Sequence, residues 1–309
     1  MAFLALSSFF LTTKLYKSDS IDFKKLFIHR IKRLYPAYLL IVFGAAFLIF
    51  AATRKIPYDV PSFLLSAQNF FWVAFGWDTP LSSILGHTWY ITLDVYLFIF
   101  GVLVLKFTPK DKWLFISYLG IVLSIVWRVS CNLSSDNYTL SYTIPIGQLD
   151  SYCIGSIVAL HLIDGKDSSK YALCDILIGV LGIAACMCYV GYLHNYNALQ
   201  SYQYFAKASQ YAGSPLLVNI YLFVGILSAG FLRLCLSMEG ASLLSKKWMV
   251  TLGNWSYELY LFHYPFLWAM AAVSSNKLIN TIVALPLTII AAYLWHRFAE
   301  DRVVKLIGK

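Results

Sequence analysis

The segment Leu252-Gly-Asn-Trp-Ser-Tyr-Glu-Leu-Tyr-Leu-Phe-His-Tyr-Pro265 gathers several side chains that could do chemistry into one short stretch. At helical spacing Gly253, Ser256, Tyr257, Tyr260, His263 and Tyr264 share one stripe. They lie in an apolar run from Trp248 to Val273, long enough to cross a bilayer. Hydroxyls and an imidazole facing lipid would lack partners, so the stripe must face protein or a water-filled cavity. A second group, Gly86-His-Thr-Trp-Tyr-Ile-Thr-Leu-Asp-Val-Tyr96, opens another apolar run with His87, Trp89 and Asp94. A carboxylate within a span is costly as a lone charge and marks a site by default. Neutral imidazole, with an ordinary pKa of about 6.5, suits a general base, and nearby hydroxyls suit hydrogen-bond donation. The structural alternatives are a helix-packing seam with a satisfied histidine, and a helix-cap histidine beside an interfacial tryptophan.

The elements that must carry these groups follow from composition. The chain has 309 residues, is 60% hydrophobic and only 13% charged, and has a mean hydropathy of +0.68. Soluble domains run near 45–50% apolar and about 25% charged, so the expected class is an all-α polytopic membrane helix bundle. The net charge of +9 does not indicate nucleic acid, because the basic residues are scattered through short loops. The six cysteines have no CxxC spacing and read as free thiols; no metal site is expected.

Apolar runs at about 2–13, 35–52, 88–105, 113–130, 148–163, 173–192, 214–236, 248–272 and 278–299 predict about nine transmembrane helices. The run 63–77 contains Gln68 and Asn69 and is short of the ~20 residues of a crossing, so it is expected to be re-entrant or interfacial. With that topology nineteen lysines and arginines fall on one side, and only Arg54, Lys55, Arg128, Lys207 and Lys277 on the other. By the positive-inside rule the first side, with the C-terminus, is cytoplasmic. A further full crossing at 63–77 would erase the asymmetry.

These segments resemble the integral-membrane acyltransferase-3 family, whose members O-acylate surface glycans. Leu252 to Pro265 resembles its G-x-x-SY-x-x-YL-x-H-x-P segment, and Gly86 to Tyr96 its H-x-W-S-L-x-x-E-x-x-Y segment, with Asp94 in place of glutamate. Phe27-Ile-His-Arg-Ile-Lys-Arg-Leu-Tyr-Pro-Ala-Tyr38 resembles its F-x-x-RR-x-x-R-(I/L)-x-P-x-Y segment, with Pro36 expected near a first helical turn. Phe3-Leu-Ala-Leu-Ser-Ser-Phe9 is similar to its FF-x-LSGF, with Ser8 at the glycine position. Gln148-Leu-Asp-Ser-Tyr-Cys-Ile-Gly155 is similar to R-x-D-x-x-x-x-G, where Gln148 would weaken a charge pair with Asp150. Phe298-Ala-Glu-Asp-Arg302 is similar to a terminal E-x-P, and Glu300 stands four residues after His296, a spacing that allows a local pair.

The resemblance implies a single membrane-embedded domain over 1–309, N-terminally incomplete. The first run, Ala2 to Thr13, spans about 18 Å against a core of about 30 Å and matches the family's second helix; its first, with the acting histidine, has no counterpart. It also implies transfer of an acyl group, most simply acetyl, from cytosolic acyl-CoA to a hydroxyl of a cell-surface glycan or lipid-linked oligosaccharide in a bacterial inner membrane. No bound cofactor is implied; acetyl-CoA is a co-substrate, and the bilayer is the other partner. Arg30 and Arg33 would dock its phosphates, a role suited to guanidinium forks. Ordinary positive-inside anchoring accounts for the same cations. His87, Asp94 and His263 would be catalytic, with His87 ranked first as substitute base. Trp89, Asp150, Ser256, Tyr257 and Tyr260 would meet the substrate, and the outer loop from Tyr192 to Gly213 offers aromatic and amide groups suited to sugars. His161 and His194, without charged or motif context, read as structural. Two other classes compete: a transporter or flippase of a lipid-linked glycan, and a non-catalytic remnant. Paired repeats with broken helices would mark the transporter, and none is visible.

Overall fold

The computed structural model describes residues 1–18, 22–134, 138–165, 168–198, 200–201, 219–237 and 244–300. Among them every regular element is a helix. Seven helical segments are long and apolar enough to cross a membrane: Phe23–Thr53, Ser82–Phe107, Lys110–Ser134, Pro145–Ile163, Lys170–His194, Ile220–Ser237 and Lys277–Ala299. The chain is therefore an integral membrane protein of all-α class. Two of the nine expected spans fall outside that set. Helix α1 (Ala2–Tyr16) is apolar but only 15 residues long. The run 248–272 is divided in two, α12 (Lys247–Asn254) and α13 (Ser256–Val273), separated at Trp255. Three tyrosines, His263, Glu258 and Pro265 lower the apolar content of α13, which is the cost of carrying a polar stripe.

The helices group into two compact units that interleave along the chain: residues 1–21 with 91–239, and residues 22–90 with 240–309. In the first, α1, α7 (Trp113–Ser134) and α11 (Ile220–Ser237) all pack on α9 (Leu149–Ile163), which follows the short α8 (Tyr138–Thr143), and α10 (Ser168–His194) pairs with α11. Within Pro145–Ile163, 72% of an 18-residue stretch is buried, against 22–44% in the other six segments, so α9 is the hub. Helices α1 and α9 approach closely: a Cβ at Gly155 would lie 1.9 Å from the Ala5 carbonyl oxygen. Ser8 exploits that approach. Its hydroxyl donates to the Tyr152 carbonyl and lies 2.9 Å from Ser156 Oγ, which Thr12 Oγ1 also meets at 2.9 Å.

In the second unit α2 (Phe23–Thr53) is capped by Asp22, whose carboxylate accepts from the Lys25 amide at 3.0 Å. At 31 residues it extends about 46 Å, well beyond a hydrocarbon core of about 30 Å, so its basic first turns project as a helical arm. Pro36 therefore sits in the interior of a helix rather than near its start, a departure from expectation. The run 63–77 does not cross. It forms two short helices, α3 (Val60–Leu64) and α4 (Gln68–Phe75), joined through Ser66 at φ +50°. A short helix α5 (Ser82–Leu85) and a 3-10 turn, Gly86–Thr88, then lead into α6 (Trp89–Phe107). Helix α13 packs on α14 (Lys277–Trp295), α2 and α5.

At the far end His296–Glu300 winds as a π turn. The His296 ring lies 6.2 Å from that of Trp255, and the Glu300 side chain is outside the described residues. All six cysteines are free.

Candidate functional site

The second unit brings the two strongest sequence segments together. The turn Gly86–Thr88 presents His87, and the face of α13 presents Tyr260, His263 and Tyr264. The His87 ring centroid lies 5.4 Å from Tyr260, 5.2 Å from His263 and 5.1 Å from Tyr264, stacked on the last at 28°. Tyr90 joins the group, 5.9 Å from Tyr260. The two segments are also tied through their backbones. The Tyr260 hydroxyl donates to the His87 carbonyl, and His87 Nε2 lies 3.2 Å from the Leu261 carbonyl oxygen.

The second contact fixes a proton. A carbonyl oxygen can only accept, so Nε2 is the protonated nitrogen of a neutral His87 and Nδ1 is bare. Nδ1 is buried and has no hydrogen-bond partner among the described residues. His263 is held in the opposite sense: its Nδ1 donates to the Tyr260 carbonyl at 2.6 Å, one turn back on its own helix. The cluster therefore contains two oriented imidazoles, one of which, that of half-buried His87, leaves its basic nitrogen unengaged.

The turn carrying His87 is held from outside the helix as well. Gln68 Nε2 donates to the Thr88 carbonyl at 3.1 Å, and Asn69 Nδ2 to the Trp89 carbonyl at 2.8 Å. Both amides are fully buried at the start of α4. Of the remaining stripe, Tyr257 donates to the Leu34 carbonyl at 2.7 Å, Ser256 is half-buried beside it on α13, and Gly253 belongs to α12 with open space around it. Trp89 is half-buried with its ring against Tyr90, 6.0 Å between centroids. Glu258, not singled out from sequence, is 3% exposed on α13. A carboxylate inside a span was the available signal.

On the arm of α2 the cations divide between faces. Asp22, Lys24, Lys25, Ile28, His29 and Lys32 line a surface depression of about 430 Å³. Arg30, half-buried, and Arg33, exposed, are not among its walls.

Asp94 and Asp150 lie in the first unit. Asp94 is half-buried on α6. Asp150 is fully buried, and its expected weakness as a charge partner is corrected by the structure. Arg128 of α7 reaches it at 2.5 Å, both side chains 0% exposed. Arg128 also donates to the Gly147 carbonyl at 2.6 Å, Ser124 Oγ at 3.1 Å and Asn219 Oδ1 at 3.2 Å. Gln148, at the position that resembles the family's arginine, instead donates to the Tyr142 carbonyl at 2.9 Å. An arginine inside the run 113–130 was the overlooked signal.

The expectation that His161 lacks a charged context is corrected likewise. Arg233 donates to its Nδ1 at 3.2 Å and to Asp175 Oδ2 at 2.9 Å, and lies over the Tyr171 ring at 5.6 Å. Arg233 itself stands within α11 rather than in a loop. His194 stacks on Tyr196 at 5.2 Å. Of the outer loop from Tyr192 to Gly213, residues 199 and 202–213 lie outside the described residues.

No curated protein and no solved structure matches the chain. A family model described as an acyltransferase domain matches residues 1–297.

Proposed function

Because the chain belongs to this acyltransferase-3 family, we propose that it transfers an acetyl group from cytosolic acetyl-CoA to a hydroxyl of a cell-surface glycan, such as O-antigen, capsule or exopolysaccharide. The observation that carries the reading is the bare, buried Nδ1 of His87, in a ring walled by Tyr260, His263 and Tyr264. The acceptor hydroxyl gives its proton to Nδ1 as its oxygen attacks the acyl carbonyl. The new C–O bond forms, the C–S bond of the thioester breaks, and the coenzyme thiolate takes up the proton. His263 and the tyrosine hydroxyls supply polar contacts to the acceptor and to the developing oxyanion.

The donor's phosphates are assigned to the basic arm of α2, through Arg30 and Arg33 and the neighbouring depression with Lys24, Lys25, His29 and Lys32. On the bias of basic residues, that arm and the C-terminus are taken to lie in the cytoplasm, and the membrane is taken to be a bacterial inner membrane. Trp89, in the same unit as His87, is carried as a secondary substrate-side group.

The test is expression in a host whose defined surface glycan lacks O-acyl groups, with the glycan mass measured before and after mild alkali. The expected result is an alkali-labile acetyl increment that disappears in His87→Ala. No increment with the protein confirmed in the membrane defeats the reading for that acceptor.

A further inference from the structure

Every carbonyl in a regular helix accepts from the amide four residues on. The partner of the Leu261 carbonyl would be residue 265, and residue 265 is proline, inside α13. Proline has no N–H, so the Leu261 carbonyl is left without its helical bond. That is the carbonyl which His87 Nε2 meets at 3.2 Å. The vacancy is specific, because His263 nearby takes the Tyr260 carbonyl, whose helical donor, the Tyr264 amide, is present.

We propose that Pro265 is a positioning residue that sets the tautomer of His87. By withholding an amide from the Leu261 carbonyl, it opens an acceptor for Nε2–H, and that bond keeps Nδ1 unprotonated. The inference rests on His87 as the base and adds the device that selects which of its nitrogens is basic. An imidazole with no such partner would divide between two tautomers, and only one would present the lone pair to the acceptor. The Tyr260 bond to the His87 carbonyl steadies the same turn but touches neither ring nitrogen, so it cannot make the selection.

Pro265→Ala restores an N–H at position 265, which competes for the Leu261 carbonyl. Loss of an interior proline strengthens a helix, so the variant is expected to fold. The measurement is nitrogen NMR of protein labelled at its six histidines, with His87 assigned by its absence in His87→Gln. Wild type is expected to show His87 with Nε2 protonated and Nδ1 bare. Pro265→Ala is expected to show a mixed or reversed tautomer, and its kcat for acetyl transfer to fall about tenfold or more with KM for acetyl-CoA little changed. Pro286→Ala, which also adds an amide inside a helix, serves as control and should leave the His87 signals in place.

A His87 protonated on Nδ1 in wild type, or one unchanged in Pro265→Ala, overturns the proposal. So does the same tautomer change in Pro286→Ala. If wild-type protein transfers no acetyl group, the proposed reaction fails, while the nitrogen spectrum still decides the role of Pro265.

Discussion

A side chain acts as a base through one atom, and His87 and Asp150 show how differently a membrane interior treats a candidate. His87 leaves a nitrogen bare at a half-buried position, so His87→Ala is expected to lower acetyl transfer by the ~10²–10⁴-fold typical of a lost general base. His263→Ala, which leaves that nitrogen intact, should cost less in the same glycan-mass assay. Asp150 is engaged on both oxygens, by Arg128 and by the Ser151 amide at 2.7 Å. Removing it strands a buried guanidinium, so Asp150→Ala should destabilise the protein by about 3–5 kcal/mol. The paired change Arg128→Met with Asp150→Leu should recover most of that, read by thermal unfolding in detergent. The histidines and tyrosines were legible because their spacing is local to one helix or turn. The Arg128–Asp150 pair was not, because it spans 22 residues and joins two helices, so an arginine inside one apolar run does not by itself name its partner in another.

At the scale of elements, α3 and α4 make up a segment too short to cross, and its polar residues explain why it is retained. Leaving a buried amide donor without an acceptor costs about 1–3 kcal/mol, and the NH2 groups of Gln68 and Asn69 each find one in a carbonyl of the turn that carries His87. With Tyr260 on the His87 carbonyl, three consecutive carbonyls of the chain are held from the side. Gln68→Met with Asn69→Leu keeps the volume and removes both tethers. We expect kcat for acetyl transfer to fall by more than the KM for either substrate changes, while the protein still reaches the membrane. Equal transfer rates in variant and wild type would show the tethers to be dispensable. Hydropathy flagged this segment as non-spanning, yet could not show which turn its amides grip. It also ran α12 and α13 together, because apolar content continues across Trp255 while the helix does not.

For the molecule as a whole, the positive-inside bias makes one prediction that no packing argument supplies. A reporter fused after Lys309 should be active in the cytoplasm, and one placed in the loop near Lys55 should be active only outside it. The reverse pattern would invert the donor and acceptor sides of the proposed reaction. The interleaving of the two units was invisible in the sequence, where apolar runs follow one another without a break in composition. It bears on how the protein comes into being. The second unit begins at Asp22 and is not complete until the stretch after Gly240 is made. His87 meets Tyr260 across a separation of 173 residues. During synthesis the histidine is made early, and its partners on α13 follow only after residues 91–239 of the other unit. The proposed site therefore closes late in synthesis, and a chain cut short before Pro265 is expected to show none of the acetyl transfer looked for in the glycan-mass assay.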